Sequence, residues 1–385
     1  MKRKKICFVV AIPGTAESFL RDHILSLMDD YDIYLVGNIK NKKDVEILHI
    51  TGFHSIEIHR AISIFKDLKA VYRLWKYFRS QKFDAIHSVT PKAGLIAALA
   101  GFYAKIPHRT HIFTGQVWAT KKGISRWLLR LIDKLIAKLD NHILVDGKSQ
   151  RDFLRQQHVL KDEQGIVFGN GSISGVNATR FKPNNSLRHE IRKEIGIPEN
   201  TISFTFLGRL NHDKGIGELF SAFNRLAKEY GNVFLLLIGT DEEGYIKTLP
   251  NYQNIIPKKN FYYYGRTSTP EKVLNAGDVF TLPTYREGFG TSVLEAACMG
   301  LPAICSDAYG VMDAMIENET GLRCHVGDVK SLYQCMKRFC DNPALIKELG
   351  DNAQKRAIND FNGNTLTQYW VNFYHQILSS NSLVK

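Results

Sequence analysis

Val279-Phe280-Thr281-Leu282-Pro283-Thr284-Tyr285-Arg286-Glu287-Gly288-Phe289-Gly290-Thr291-Ser292-Val293-Leu294-Glu295-Ala296-Ala297 reads as three consecutive pieces of one unit. A short apolar run suits a buried strand, a polar loop with two glycines follows, and an apolar helix start takes over at 291. Glu287 falls before the helix and Glu295 one to two turns inside it, so both carboxylates can border one pocket. The peptide N–H groups of Gly290, Thr291 and Ser292 point into the same pocket as the free donors of a helix N-terminus. Such an end binds phosphate readily. An anion cradle flanked by two carboxylates suits a diphosphate between two polyhydroxylated rings, which describes a sugar nucleotide.

The same strand–loop–helix rhythm runs outward in both directions. Strands are expected at Lys5–Ala11, Asp32–Gly37, Asp84–Ser88, Arg109–Phe113 and His142–Asp146, with helices at 16–29, 61–80, 92–104, 124–139 and 148–156. After residue 180 the rhythm restarts, with strands Ile202–Leu207, Phe234–Ile238, Phe261–Tyr264, Val279–Leu282 and Ala303–Ser306 and helices at 216–230, 270–276, 291–299 and 330–340. This alternation specifies an α/β protein built from two doubly wound parallel sheets. The polar run Pro183-Asn184-Asn185-Ser186 reads as linker. The expected division is 1–180, 181–363 and a final amphipathic helix at 364–385 that braces both halves or packs only on its own. Ligands of such sheets bind at the strand carboxyl ends, so the gap between two facing sheets is the expected site.

Bulk properties agree with this division. The 385 residues exceed one ordinary core, and 44% hydrophobic with 23% charged residues is the balance of a folded globular chain. Ile6–Ile12 after the basic start ends at Pro13-Gly14 without a small-residue cleavage site, and reads as a buried first strand rather than a leader. No stretch approaches the roughly 20 apolar residues of a membrane span. Six cysteines without a Cys-x-x-Cys read as reduced, buried thiols of a cytoplasmic protein. Of 51 basic and 38 acidic residues, 29 and 16 lie in 1–180, so the net charge of +13 belongs to the first half. Such asymmetry implies an anionic partner for the first half: membrane lipid, nucleic acid or a phosphorylated substrate.

Strand 202–207 runs into Gly208-Arg209-Leu210-Asn211-His212-Asp213-Lys214-Gly215-Ile216. Glycine at a strand end permits a tight turn and close backbone approach. Arg209 and Lys214 can neutralise a diphosphate, one by forked hydrogen bonds and one as a point charge. An ordinary loop with solvated charges is the competing reading, and the Glu287/Glu295 element in the same half weighs against it. The ordered set Gly208-Arg209-x4-Lys214-Gly215, Glu287-x7-Glu295 and Gly300-Leu301-Pro302-Ala303-Ile304 resembles the retaining glycosyltransferases of family 4, with the GT-B fold. Asn170-Gly171, Val176-Asn177 and Phe181 are similar to the interdomain segment of that family, and Ala276–Thr284 to its strand before the glutamate loop.

The resemblance implies roles position by position. Arg209 and Lys214 stabilise the departing diphosphate, Glu287 holds the donor sugar, and Glu295 bonds the ribose hydroxyls. Gly290, Thr291 and Ser292 cap the phosphates, with Gly288 and Phe289 in the same donor-binding loop, and Gly265 and Arg266 lie by the nucleobase. In the first half, Gly14 and Thr15 after the first strand contribute to the phosphate wall or the acceptor site, although a plain strand-to-helix turn reads equally well. The family places a histidine before a glycine at the end of the fourth strand of this half; here Thr114 stands there, so no catalytic histidine carries over. Thr114 can bond a donor hydroxyl. His111 and His87 are acceptor or donor-sugar candidates set against a reading as core histidines.

The implied co-substrate is a nucleotide sugar, UDP-linked, with no cofactor and no metal. The Asp-x-Asp at Asp30-Tyr31-Asp32 falls between a helix and a strand start, away from the carboxyl edge, and reads as a solvated turn. Charge stabilisation then comes from Arg209, Lys214 and the helix end. Two stretches, Phe65–Lys82 and Lys122–Leu139, interleave Lys and Arg with apolar and aromatic residues, the composition of interfacial binders. Their apolar faces are expected to pack on the sheet and their charges to meet an anionic membrane surface. No zinc-finger spacing or arginine-rich tail points to nucleic acid.

The expected activity is transfer of a hexose or N-acetylhexosamine to a lipid-linked glycan or surface-polysaccharide precursor, at the inner face of the cell membrane. The softer resemblance of 113–118 and 169–176 is to capsule, O-antigen and exopolysaccharide enzymes. A sugar-nucleotide epimerase on the same double fold, and a non-catalytic binding subunit, remain as alternatives.

Overall fold

The computed structural model describes residues 3–59, 63–247 and 258–379. The chain forms two compact units, Met1–Ser174 with Gly363–Lys385, and Gly175–Asn362. The first contains β1 (Lys5–Val9), β2 (Asp32–Gly37), β3 (Gly52–Ser55), β4 (Ala85–Val89), β5 (His108–Phe113) and β6 (His142–Val145) in the order β3-β2-β1-β4-β5-β6. The second contains β7 (Ile202–Leu207), β8 (Val233–Ile238), β9 (Phe261–Gly265), β10 (Val279–Leu282), β11 (Ala303–Ser306) and β12 (Gly321–Cys324) in the order β12-β11-β10-β7-β8-β9. Every strand pair is parallel. The order reverses between β1 and β4 in one sheet and between β7 and β10 in the other. Loops diverge at such switch points and leave a crevice at the carboxyl ends.

β1 shows why its sequence is an unbroken apolar run. Ile6, Phe8 and Val10 face one layer, while Cys7, Val9 and Ala11 face the other. Both faces of a central parallel strand are covered, which accounts for the apolar run from Ile6 to Ala11. On the second layer pack Ala70, Leu74 and Phe78 from helix Ile64–Gln81, with Ala93, Ile96, Ala97 and Ala100 from helix Pro91–Tyr103. The first layer is closed by helix Gly363–Ser379, whose Trp370, Phe373, Tyr374 and Ile377 are buried among Phe8, Ile24 and Leu35.

Four expectations change. The final helix, expected to brace both halves, is a component of the first unit's core. The polar run 183–186 is a helix start instead of a linker: Asn184 caps helix Asn185–Ile195 by accepting the Leu187 N–H at 3.0 Å. Residues 175–180 go with the second unit, because Val176 N–H bonds the Phe361 carbonyl at 2.8 Å and Arg180 bonds the Ser268 carbonyl at 2.9 Å. The expected helix at 16–29 is also two short ones, Pro13–Phe19 and Arg21–Leu27.

The second core runs from Phe204, Phe206 and Leu235 to Phe220, Leu294 and Met336. Inside it Arg192 is fully covered. Its guanidinium pairs with Asp278 at 3.2 Å, Arg188 pairs with the other Asp278 oxygen at 2.7 Å, and Asp278 also accepts the Ser203 N–H. This ties helix Asn185–Ile195 to β7. All six cysteines are free, with five buried and Cys340 half-buried. Among the described residues no helix is long and apolar enough to cross a membrane.

Candidate active site

β7 and β10 are neighbours, with Val279 level with Phe204, so the loops that leave their carboxyl ends start side by side at the switch point. Two glycines, one in the first loop and one at the exit of β8, seat that loop. A Cβ on Gly215 (φ 69°) would lie 2.0 Å from the Pro283 carbonyl oxygen, and a Cβ on Gly239 (φ 141°) would lie 1.7 Å from that of Gly208. The backbones therefore touch where any side chain would separate them. One contact seats the Lys214 turn on the exit of β10. The other seats Gly208 and Arg209 on the exit of β8.

The two loops are clamped by residues that sequence reasoning did not assign to the site. Arg286 grips Asp213 through Nε at 3.0 Å and Nη2 at 2.6 Å. The Asp213 carbonyl accepts the Tyr285 N–H and the Thr284 hydroxyl, both at 2.8 Å. The Tyr285 ring stacks on His212 with centroids 4.8 Å apart, and its hydroxyl donates to Glu218 at 2.7 Å. Burial first and the Glu218 carboxylate second push the Tyr285 phenol up to about 12. On the far side, a Cβ on Gly310 (φ 84°) would lie 2.5 Å from the Glu287 carbonyl oxygen, so the loop after β11 backs the glutamate loop directly. Asp-Arg pairing across a loop gives no local sequence signal. The only hint was the immediate neighbourhood of Lys214 and Glu287.

The clamp brings the Lys214 ammonium onto the Glu287 carboxylate, both mostly covered. Arg209, on the same loop, turns to Glu242, donating to both its oxygens at 3.1 Å, and Asn211 donates to that carboxylate at 2.9 Å. Gly290 (φ 89°) is the N-cap of helix Thr291–Cys298, so no side chain closes the helix start. Glu295 is half-buried on this helix. Burial pushes its carboxyl up to about 7, with Arg180 opposing and Glu271 adding to the shift. Arg180 and Glu271 themselves pair at 2.9 Å.

The remaining candidates separate. Gly288 is buried in the glutamate loop, and the Phe289 side chain packs into the core against Phe361, with centroids 5.3 Å apart, so it offers only backbone to a ligand. Gly265 (φ 80°) ends β9, and Arg266 is exposed after it. In the first unit Gly14 and Thr15 lie in the opening turn of helix Pro13–Phe19, beyond the carboxyl end of β1, and Thr114 follows β5. Gly14 is not there for space or conformation, since nothing lies within 4 Å of its Cβ position.

His111 and His87 are corrected to core residues. His111 is fully buried, bonded to Ser88 Oγ at 2.8 Å, and burial lowers its pKa to about 3. His87 is sandwiched between Phe8 and Trp370 and bonded to Tyr374 Oη at 2.7 Å, and burial again lowers its pKa well below the usual value. Each points along a strand into a layer rather than past its end. Asp30 of the Asp-x-Asp pairs with His375, and Asp32 opens β2 beside Arg3.

Two doubly wound parallel sheets, with a cation–carboxylate cluster at the switch point of the second, define the GT-B class of enzyme. A family model described as glycosyl transferases group 1 matches residues 188–356, and one described as a glycosyl transferase 4-like domain matches residues 44–171. The chain belongs to the family 4 glycosyltransferases with the GT-B fold. It is 28% identical to the capsular polysaccharide biosynthesis glycosyltransferase CapM of Staphylococcus aureus, over 98% of each chain. It is 25% identical to the Escherichia coli UDP-Gal:alpha-D-GlcNAc-diphosphoundecaprenol alpha-1,3-galactosyltransferase over 93% of each. The structure of Anabaena HepE in complex with UDP and glucose matches with a TM-score of 0.82 at 20% identity, over 97% of this chain and 100% of that one.

Proposed function

We propose that this glycosyltransferase takes a hexose or N-acetylhexosamine from a UDP-sugar and places it, with retention, on a hydroxyl of a lipid-linked glycan precursor. The contact of Lys214 with Glu287 across two clamped strand-end loops, beside an uncapped helix start, carries the reading. Arg209, Lys214 and the amides of Gly290, Thr291 and Ser292 meet the diphosphate, Glu287 the donor sugar and Glu295 the ribose. The UDP-Gal in the name of the E. coli relative and the UDP bound to HepE support the nucleotide, and the diphosphoundecaprenol of that relative supports the acceptor.

In the step itself the bond from the sugar's anomeric carbon to the diphosphate oxygen breaks, and the acceptor oxygen bonds that carbon on the same face. The acceptor proton passes to the departing phosphate oxygen, which relieves the protein of supplying a strong base. The negative charge growing on UDP is met by Lys214 and Arg209, which exchange their Glu287 and Glu242 partners for the diphosphate, and by the dipoles of the helix start, and no metal is required. The basic first unit lies toward the inner leaflet that carries the acceptor.

The test is a panel of UDP-sugars with polyprenyl-diphosphate-linked saccharides, following UDP release and the anomeric configuration of the product by NMR, with and without EDTA. Acceptor-dependent UDP release with retained configuration, insensitive to EDTA, is expected. An altered sugar released without acceptor establishes the epimerase instead. No UDP from any donor establishes a binding subunit.

A further inference from the structure

We propose that the N-terminal halves of helices Ile64–Gln81 and Gly123–Leu139 form an apolar ridge that inserts into an anionic phospholipid leaflet. The proposal deepens the lipid-linked acceptor reading and rests on it for its purpose. These apolar faces were expected to lie on the sheet; Ala70, Leu74, Phe78, Ile136 and Ala137 do so, and the N-terminal halves do not. Phe65 is 88% exposed, Leu68 and Tyr72 each 60%, Ile124 84% and Trp127 59%, with Leu128, Leu131 and Leu135 also exposed. In the second helix only Asp133, Ile136 and Ala137, near its end, are buried. The final helix has a comparable apolar spacing and buries most of it, with Trp370, Phe373, Tyr374 and Ile377 covered.

Both helices pack against helix Pro91–Tyr103 from opposite sides, in one row along one layer of the first sheet. Helix 64–81 follows β3 and helix 123–139 follows β5, in a sheet whose strands all run parallel. Their N-terminal turns therefore lie toward the strand carboxyl ends. The apolar ridge and the ligand-binding edge of this sheet share one end. A diphosphate-linked acceptor held in the leaflet would reach that edge without leaving the bilayer.

Charge identifies the partner as anionic lipid. The first helix carries Lys66, Lys69, Arg73, Lys76 and Arg79 against Asp67 alone, and the second Arg126, Arg130, Lys134 and Lys138 against Asp133 alone. Both acids are withdrawn from the surface. Asp67 is held by Lys92, and Asp133 accepts the Trp118 indole N–H at 2.7 Å in the interior. What remains outside is apolar and aromatic residues rimmed by cations, the arrangement that a leaflet accepts and a polar protein surface does not.

The experiment is co-sedimentation with phosphatidylcholine vesicles, with and without phosphatidylglycerol, at low and high salt. It compares the wild type with Phe65→Glu/Leu68→Glu and Ile124→Glu/Trp127→Glu, and calorimetry measures UDP affinity in parallel. Binding that needs phosphatidylglycerol, weakens with salt and falls about tenfold or more in each double variant supports the ridge. UDP affinity stays at the wild-type value, because the second-unit site is untouched. Variants that bind as the wild type does overturn the proposal. So does a wild-type dimer that the variants dissolve, which would give the face to a second copy. Wild-type vesicle binding that the double variants lose, together with no wild-type turnover of any UDP-sugar, leaves the docking intact and removes the catalytic reading.

Discussion

Lys214→Met is the sharpest single perturbation of the site. The lysine and Glu287 side chains are 17% and 14% exposed, which puts their pair between a surface ion pair, worth at most about 1 kcal/mol, and a buried one, whose breaking costs about 3–5 kcal/mol. The Asp213–Arg286 grip and the Gly215–Pro283 approach remain, so the loops hold their places. We expect a stability loss of about 1–2 kcal/mol in the second unit. The loss in rate should be larger. One fixed donor removed from a developing oxyanion costs a factor of about 10²–10³, or about 2.7–4 kcal/mol. Acceptor-dependent UDP release gives the rate. Calorimetric melting gives the stability, because all four tryptophans lie in the first unit and leave their fluorescence blind to the second. Glu287→Gln and the double variant close a cycle: each single change unpairs the other group, so the double should be less destabilised than the sum. A Lys214→Met enzyme within threefold of wild-type turnover (about 0.7 kcal/mol) refutes the charge-stabilising role.

Three further outcomes follow from other parts of the structure. Glu295, raised to about 7, accepts hydroxyl donors best when ionised, so UDP affinity should rise between about pH 6 and 8, and Glu295→Gln should bind weakly and lose that component of the profile when titrated by calorimetry. Asp278→Asn leaves the covered Arg192 without its counter-charge and should cost about 3–5 kcal/mol in chemical denaturation, whereas Arg188→Ala, at a half-exposed pair, should cost distinctly less. His23, stacked on Trp370 at 4.6 Å, has its pKa lowered to about 4 by burial, so the unfolded chain binds the proton first. First-unit stability should therefore fall as pH drops from about 6.5 to about 4, by ~3 kcal/mol from this group, read by tryptophan emission; a flat response over that window contradicts the neutral buried imidazole.

Much of the fold was legible because strand and helix periods are local. β2, β7, β10 and β11 fall at their expected residues, and the helix over 148–156 does too. The missed strands, β3 and β12, are four-residue edges: β3 has no buried residue and β12 is interrupted by Arg323, so neither shows the continuous apolar run of a central strand. Helix Ala344–Asp360 was missed for the opposite reason, since Leu349, Gly350, Ala353 and Ala357 make a thin buried stripe in a polar segment. Lys214 and Glu287, picked by type and spacing, do come into contact, but His111 and His87 show that a polar residue in a strand says nothing about which layer it enters.

The order of residues by itself determined the two alternating halves, the strand-end loops that carry Arg209, Lys214 and Glu287, the helix start that carries Glu295, and the cationic excess of the first half. Those depend on short-range periodicity and on which side chains can bear charge. Only tertiary structure decided that the final helix closes the first unit, that Asp213, Arg286 and Gly310 hold the two loops in register, and that the apolar stripes at 64–72 and 124–135 face outward. Each of these is a contact, or a missing one, between segments far apart in the chain. An amphipathic pattern states that a face is apolar; what covers it depends on how much of the helix reaches over the sheet.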